Sequence, residues 1–125
     1  MQVTYLDHVT VVVTDVDRSR RFYQDVLGLR EVPPPYTFDF VVVWFDLGGQ
    51  YLHLLLKPEA DTLSPRHYAL GVADAVAARD RCRANGLTIE ETVRIPNADR
   101  FFTRDPDGNR IELIQWFKPY DPAAR

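Results

Sequence analysis

Three histidines and one glutamate are the residues of this chain best suited to do chemistry. His8 and His67 stand 59 residues apart, and so do His53 and Glu112. Three further pairs keep the same offset: Asp15 with Asp74, Asp46 with Asp105, and Gly49 with Gly108. A constant offset through most of a chain marks an internal duplication. The protein therefore reads as two copies of one small unit, each with a His near its start and a His or Glu near its end. Neutral imidazole and carboxylate are metal ligands and proton carriers.

The elements that must position these groups follow from periodicity. Val9, Val11 and Val13 alternate with His8, Thr10 and Val12, which predicts a strand with one aliphatic face. Asp15 or Asp17 can cap the helix that follows. Phe22, Tyr23, Val26 and Leu27 recur at helical spacing, and Gly28 ends the helix. A short strand is expected at 29–32, then a loop at Pro33, Pro34 and Pro35, since proline cannot donate to a sheet ladder. Strands are expected at 40–45 and 51–56, turned by Gly48 and Gly49. The second unit repeats the order: a strand at 67–72, a helix from Asp74 to Asn85 ended by Gly86, and a strand at 87–93. A turn at Pro96–Asn97, a strand containing 101–103, the turn 105–109 and a last strand at 110–116 complete it. Residues i and i+2 of a strand share a face. In all four end strands the aliphatic face, Leu52, Leu54 and Leu56 or their equivalents, is set to pack under helices. His8, His53, His67 and Glu112 then all point to the helix-free face.

Composition narrows the classes. The chain has 125 residues, 46% of them hydrophobic, and a formal net charge of −3. Each half alone is marginal in size, so the halves should pack on each other or on a partner. Scattered Lys and Arg and a net negative charge give no footprint for nucleic acid. No apolar run approaches membrane-spanning length and no signal peptide opens the chain, so a cytoplasmic protein is expected. The single cysteine, Cys82, excludes an intrachain disulfide and reads as a small buried hydrophobe.

The segments LDHVTVVVTDVDRSRRFYQDVLGL, GGQYLHLLL, RHYALGVAD and RDPDGNRIELIQW span nearly the whole chain. With them the protein resembles the vicinal oxygen chelate superfamily, which includes glyoxalase I, fosfomycin-resistance proteins, extradiol dioxygenases, methylmalonyl-CoA epimerase and bleomycin-resistance proteins. The resemblance implies an α+β fold: two tandem βαβββ modules forming half-barrel curved mixed sheets around a cleft, helices outside. It implies a single domain over 1–125, with module one at 3–57, a linker at 58–65, module two at 66–117 and a tail at 118–125, which its two prolines predict to be poorly ordered. Metal ligands in such proteins come from the end strands of each module. By position they fall on His8, His67 and Glu112, with His53 a candidate fourth. His53 departs from the pattern, since glyoxalase-like members place a carboxylate there.

The resemblance further implies a divalent ion (Zn, Ni, Co, Mn or Fe), a small oxygenated substrate that chelates it, and a homodimer. Lyase or isomerase, thiol- or epoxide-transfer and dioxygenase chemistry are all open. Glu112 is the candidate base, and His53 a candidate proton carrier or substrate contact. Thr10 and Arg100 are candidate substrate-binding residues, Arg100 for an anionic group. Trp44, Phe40, Phe102 and Trp116 either line the cleft or serve packing. Asp105, Gly108 and Asn109 are read as turn residues, and Asp15 and Asp74 as helix caps. The alternative is a metal-free binding protein that sequesters an antibiotic or metabolite, as bleomycin-resistance proteins do. Such members tend to lack the ligand set that this chain keeps.

Overall fold

The computed structural model describes residues 1–123. It contains two four-stranded mixed sheets of the same design and is α+β. By internal contacts the chain divides into two units. The first is residues 1–62 with the turn Pro106–Asn109, and the second is residues 63–105 with Arg110 onward.

In the first unit, β1 (His8–Val13) leads into α1 (Val16–Arg20), which continues as π-helical turns over Arg21–Val26. Then come β2 (Arg30–Val32), β3 (Val42–Asp46) and β4 (Tyr51–Leu56). The strand order is β1-β4-β3-β2, with β1 parallel to β4 and the other pairs antiparallel. The parallel pair at the β1 edge is what a βαβββ path requires, since the helix carries the chain back along the sheet. Val13, Val43, Phe45, Leu52 and Leu54 are buried with Phe22 and Tyr23 of the helical segment. Tyr23 packs on Phe45, ring centroids 5.7 Å apart. That fixes the helix to the aliphatic face and leaves the other face open.

The second unit repeats this with β5 (His67–Gly71), α2 (Ala75–Ala84), β6 (Glu90–Glu91), β7 (Ala98–Arg104) and β8 (Arg110–Trp116), in the order β5-β8-β7-β6. Here α2 is tied to the inner face. The Ala75 backbone N–H donates to Gln115, and Arg79 donates to Asp99 and Glu91 while lying over Phe101. Those bonds hold the Glu91 and Asp99 carboxyls below the usual carboxylate range. In the tail Tyr120 lies against Trp116, and the Ala123 N–H donates to Asp121. The part of the predicted disordered tail at 124–125 lies outside the described residues.

Duplication reaches the backbone angles. Asp15 and Asp74 cap the two helices from extended backbone, φ −144 and −148, each accepting from the N–H three residues on. Two expectations differ from what is found. The strand expected at 87–93 pairs only at Glu90 and Glu91. The first helix changes pitch: the Leu27 N–H bonds the Phe22 carbonyl, five residues back. Ser19, Phe22 and Tyr23 are buried along this segment.

Candidate metal and substrate site

On the open face of the first unit, register fixes the neighbours. Thr10 pairs with His53 across β1 and β4, and Trp44 pairs with His53 across β3 and β4. Partners in register point the same way, so Thr10, His53 and Trp44 form a row on one face. His8, two residues before Thr10, joins them. The rings stack: His8 on His53 at 4.0 Å between centroids and 19° between planes, and His53 on Trp44 at 3.9 Å and 10°. Burial depresses the His53 pKa to about 4, with the neighbouring His8 adding to the effect and Asp7 opposing it. His53 is thus a neutral imidazole near neutrality, fit to ligate but weak as a base. It is 7% exposed, and its Nε2 has no hydrogen-bond partner, nor does the Trp44 indole N–H.

The Nδ1 of exposed His8 lies 2.7 Å from an Asp7 carboxylate oxygen. A carboxylate only accepts, so Nδ1 carries the hydrogen and Nε2 is left as the ligand nitrogen. Sequence reasoning passed over Asp7, because adjacent strand residues point to opposite faces and a contact between them depends on side-chain rotation.

On the open face of the second unit, the pairs are His67 with Arg110, Ala69 with Glu112, and Phe102 with Glu112. The Nδ1 of His67 lies 3.0 Å from the Pro65 carbonyl, and its Nε2 lies 3.2 Å from Oε1 of Glu112. With Nδ1–H donated to Pro65, Nε2 presents a lone pair to a carboxylate oxygen. Two acceptors that close are held together by a proton or by a cation. Glu112 is 8% exposed and also meets Arg100, Nη1 to Oε1 3.4 Å. Arg100 therefore stands on the same face as the candidate ligands, with its Nε buried and unpartnered. Phe102 sits edge-on to His67 at 4.8 Å and carries the Arg110 guanidinium over its ring at 3.6 Å. Arg110 was legible in principle, since it alternates with Glu112 along β8.

Each module thus sets two of the four candidate ligands side by side: His8 with His53, and His67 with Glu112. Within either unit, no three His, Cys, Asp or Glu side chains of the described residues group as a ready metal cage. The donor set still fits a divalent first-row ion: imidazole nitrogens oriented by their second nitrogen, one carboxylate, and an unpartnered buried Nε2.

The turn Asp105–Asn109 does more than reverse the chain. Asp107 accepts from the Thr14 N–H at 3.2 Å, the Thr14 hydroxyl at 2.6 Å and Arg18 at 2.8 Å. Asn109 donates to the Val12 carbonyl at 2.9 Å. These bonds belong to the first unit and brace the end of the strand that starts with His8.

Residues 5–113 match the family model described as Glyoxalase/Bleomycin resistance protein/Dioxygenase superfamily. A lactoylglutathione lyase of Haemophilus influenzae is 32% identical over 86% of this chain and 90% of its own length. A protein of Arabidopsis thaliana named Glyoxylase I 4 is 29% identical over 90% of this chain and 71% of its own. Among solved structures, a Bacillus anthracis protein described as glyoxalase-family superposes with a TM-score of 0.84 at 25% identity, covering 93% of this chain and 98% of the other.

Proposed function

Because the chain belongs to the Glyoxalase/Bleomycin resistance protein/Dioxygenase superfamily, we propose that it is a metal-dependent enzyme of the glyoxalase type. Its substrate is a small oxygenated molecule that chelates a divalent ion through two neighbouring oxygens. His8, His67 and Glu112 hold the ion, with His53 the fourth donor. The chain is one domain, residues 1–125, and forms a homodimer whose modules pair within or across chains. The observation that carries this reading is the His67–Glu112 pair, with Nε2 facing Oε1 at 3.2 Å while Pro65 occupies the other ring nitrogen.

A bound divalent ion supplies Lewis-acid stabilisation of negative charge developing on a substrate oxygen. The chain's own residues supply the rest. Glu112 takes a proton from the carbon next to the carbonyl that bears that oxygen, and the electron pair of the broken C–H bond passes through the carbonyl onto the oxygen. Its burial against Arg100 and His67 holds one carboxylate oxygen in a fixed place, so little reorganisation is needed. Thr10, exposed beside His53, donates its hydroxyl to a substrate oxygen. Arg100, set against Glu112, meets an anionic substituent and keeps it oriented. His53 carries no charge and leaves the proton to Glu112, because a group that titrates near 4 is a weak acceptor at neutral pH.

This division of labour differs from a mechanism with two carboxylates, one in each module. With His53 in place of the second, proton transfer is confined to Glu112, which favours reactions needing one base: isomerisation or elimination beside a carbonyl. The reading is tested by thermal denaturation of metal-stripped protein with Zn, Ni, Co, Mn or Fe(II) added in turn. A rise in Tm with at least one ion is expected, by mass action on the folded state. No rise with any of them sinks it.

A further inference from the structure

We infer that the open face of the first module receives a planar aromatic ring bearing an oxygen substituent. The inference rests on the reading above that this face is the substrate side, and it names the substrate's chemical class. Beyond the two histidines, the face carries a connected set of rings: Phe38, Phe40, Trp44 and Tyr51. Centroids lie 5.1 Å apart for Phe38 and Phe40, 6.1 Å for Phe38 and Trp44, and 6.0 Å for Trp44 and Tyr51.

These rings are not the core of the module. The core is the opposite face, where Val43, Phe45, Leu52 and Leu54 are buried. Phe38 and Phe40 are 40% and 52% exposed. Flat rings at such spacings present the edges and faces that a further aromatic ring prefers, at centroid distances of about 4.5–7 Å.

The polar atoms restrict the occupant further. The Trp44 N–H is a donor only, and it is buried without an acceptor. Buried polar groups in folded proteins are almost always paired, so this orphaned donor inside an aromatic wall calls for a ligand with an oxygen acceptor there. The charged pair on β2 and β3 of this face, Arg30 and Asp46, already satisfies itself, so the occupant needs no net charge at this end.

The experiment compares 2-naphthol with its saturated counterpart decahydro-2-naphthol, which has the same skeleton and hydroxyl but no planar ring. Both are titrated calorimetrically into metal-stripped protein, so the result does not depend on whether the metal assignment holds. Binding of 2-naphthol at least tenfold tighter is expected. Phe38→Ala and Phe40→Ala, on exposed side chains that the fold tolerates losing, should each remove most of that preference. Metal affinity should not change in either variant. Equal affinity for the two alcohols, or a preference untouched by both substitutions, overturns the inference. So does a loss of dimer mass in the two variants with ring affinity unchanged, since that assigns the face to a contact between subunits.

Discussion

His53 and Glu112 occupy the same place in the two modules yet are built for different work. Glu112 keeps partners that suit a charged carboxylate, while His53 is buried between two rings and held neutral. The burial makes a pH prediction. Folding lowers the His53 pKa from the ordinary 6.5 to about 4. Between those values the unfolded chain binds a proton that the folded chain does not. Stability is therefore full above about 6.5 and falls as pH drops toward 4, by up to about 3 kcal/mol. The groups facing His53 are His8, Asp7 and Trp44, and the largest cause is burial. Urea melts of metal-stripped protein between pH 7 and 4 should show the slope, and His53→Gln should flatten it. An unchanged slope in that variant would move the titration elsewhere. Asp7 makes a second prediction. If it sets the His8 tautomer, Asp7→Ala weakens metal binding by about tenfold or more, and Asp7→Asn, which still accepts, by less. Unaltered affinity on calorimetric titration of the alanine variant would show that His8 is oriented by something else. The four candidate ligands were legible from strand alternation. Asp7, and the bond from His67 to the Pro65 carbonyl, were not, because they depend on side-chain rotation and loop geometry rather than on pattern.

The elements show how a duplicated sequence keeps its fold while its chemistry diverges. The aspartate caps, the left-handed Gly28 and Gly86 after each helix, and the parallel pairs β1–β4 and β5–β8 recur in both modules. These were readable because each rests on a local requirement: a short acceptor before a helix, or a residue free to take positive φ. The edge strands were less so. Arg30–Val32 and Glu90–Glu91 are short and charged, as suits strands that must not pair with a neighbour, and the apolar residues around Glu90 made the second read too long. The π-helical stretch after Arg20 has no residue signature at all, since it is a shift in hydrogen-bond register. The turn 105–109 was read as a turn only. Its Asp107 side chain is 3% exposed and takes three hydrogen bonds from Thr14 and Arg18. Asp107→Ala removes the acceptor for all three and should cost about 2–4 kcal/mol in chemical denaturation. Asp74→Ala, which removes one cap bond, should cost about 1 kcal/mol. Equal losses in the two variants would mean Asp107 is no more than a turn residue.

For the molecule as a whole, no helix among the described residues is long and apolar enough to cross a membrane. Its architecture was the most legible level of all, because a repeat of βαβββ units constrains every element at once. Which faces meet was not legible, since sequence pattern says which side of a sheet is open and not what covers it. A homodimer should appear as a doubled mass in sedimentation equilibrium, and a monomer that still binds metal fully would remove the need for a partner chain. In the proposed enzyme His8, His67 and Glu112 together hold a divalent ion. Elemental analysis of protein purified without a metal-affinity tag tests it most directly. About one divalent ion per chain is expected in the parent protein, with most of it lost in His8→Ala and in Glu112→Gln. A parent protein free of metal, or full occupancy in both variants, would contradict it.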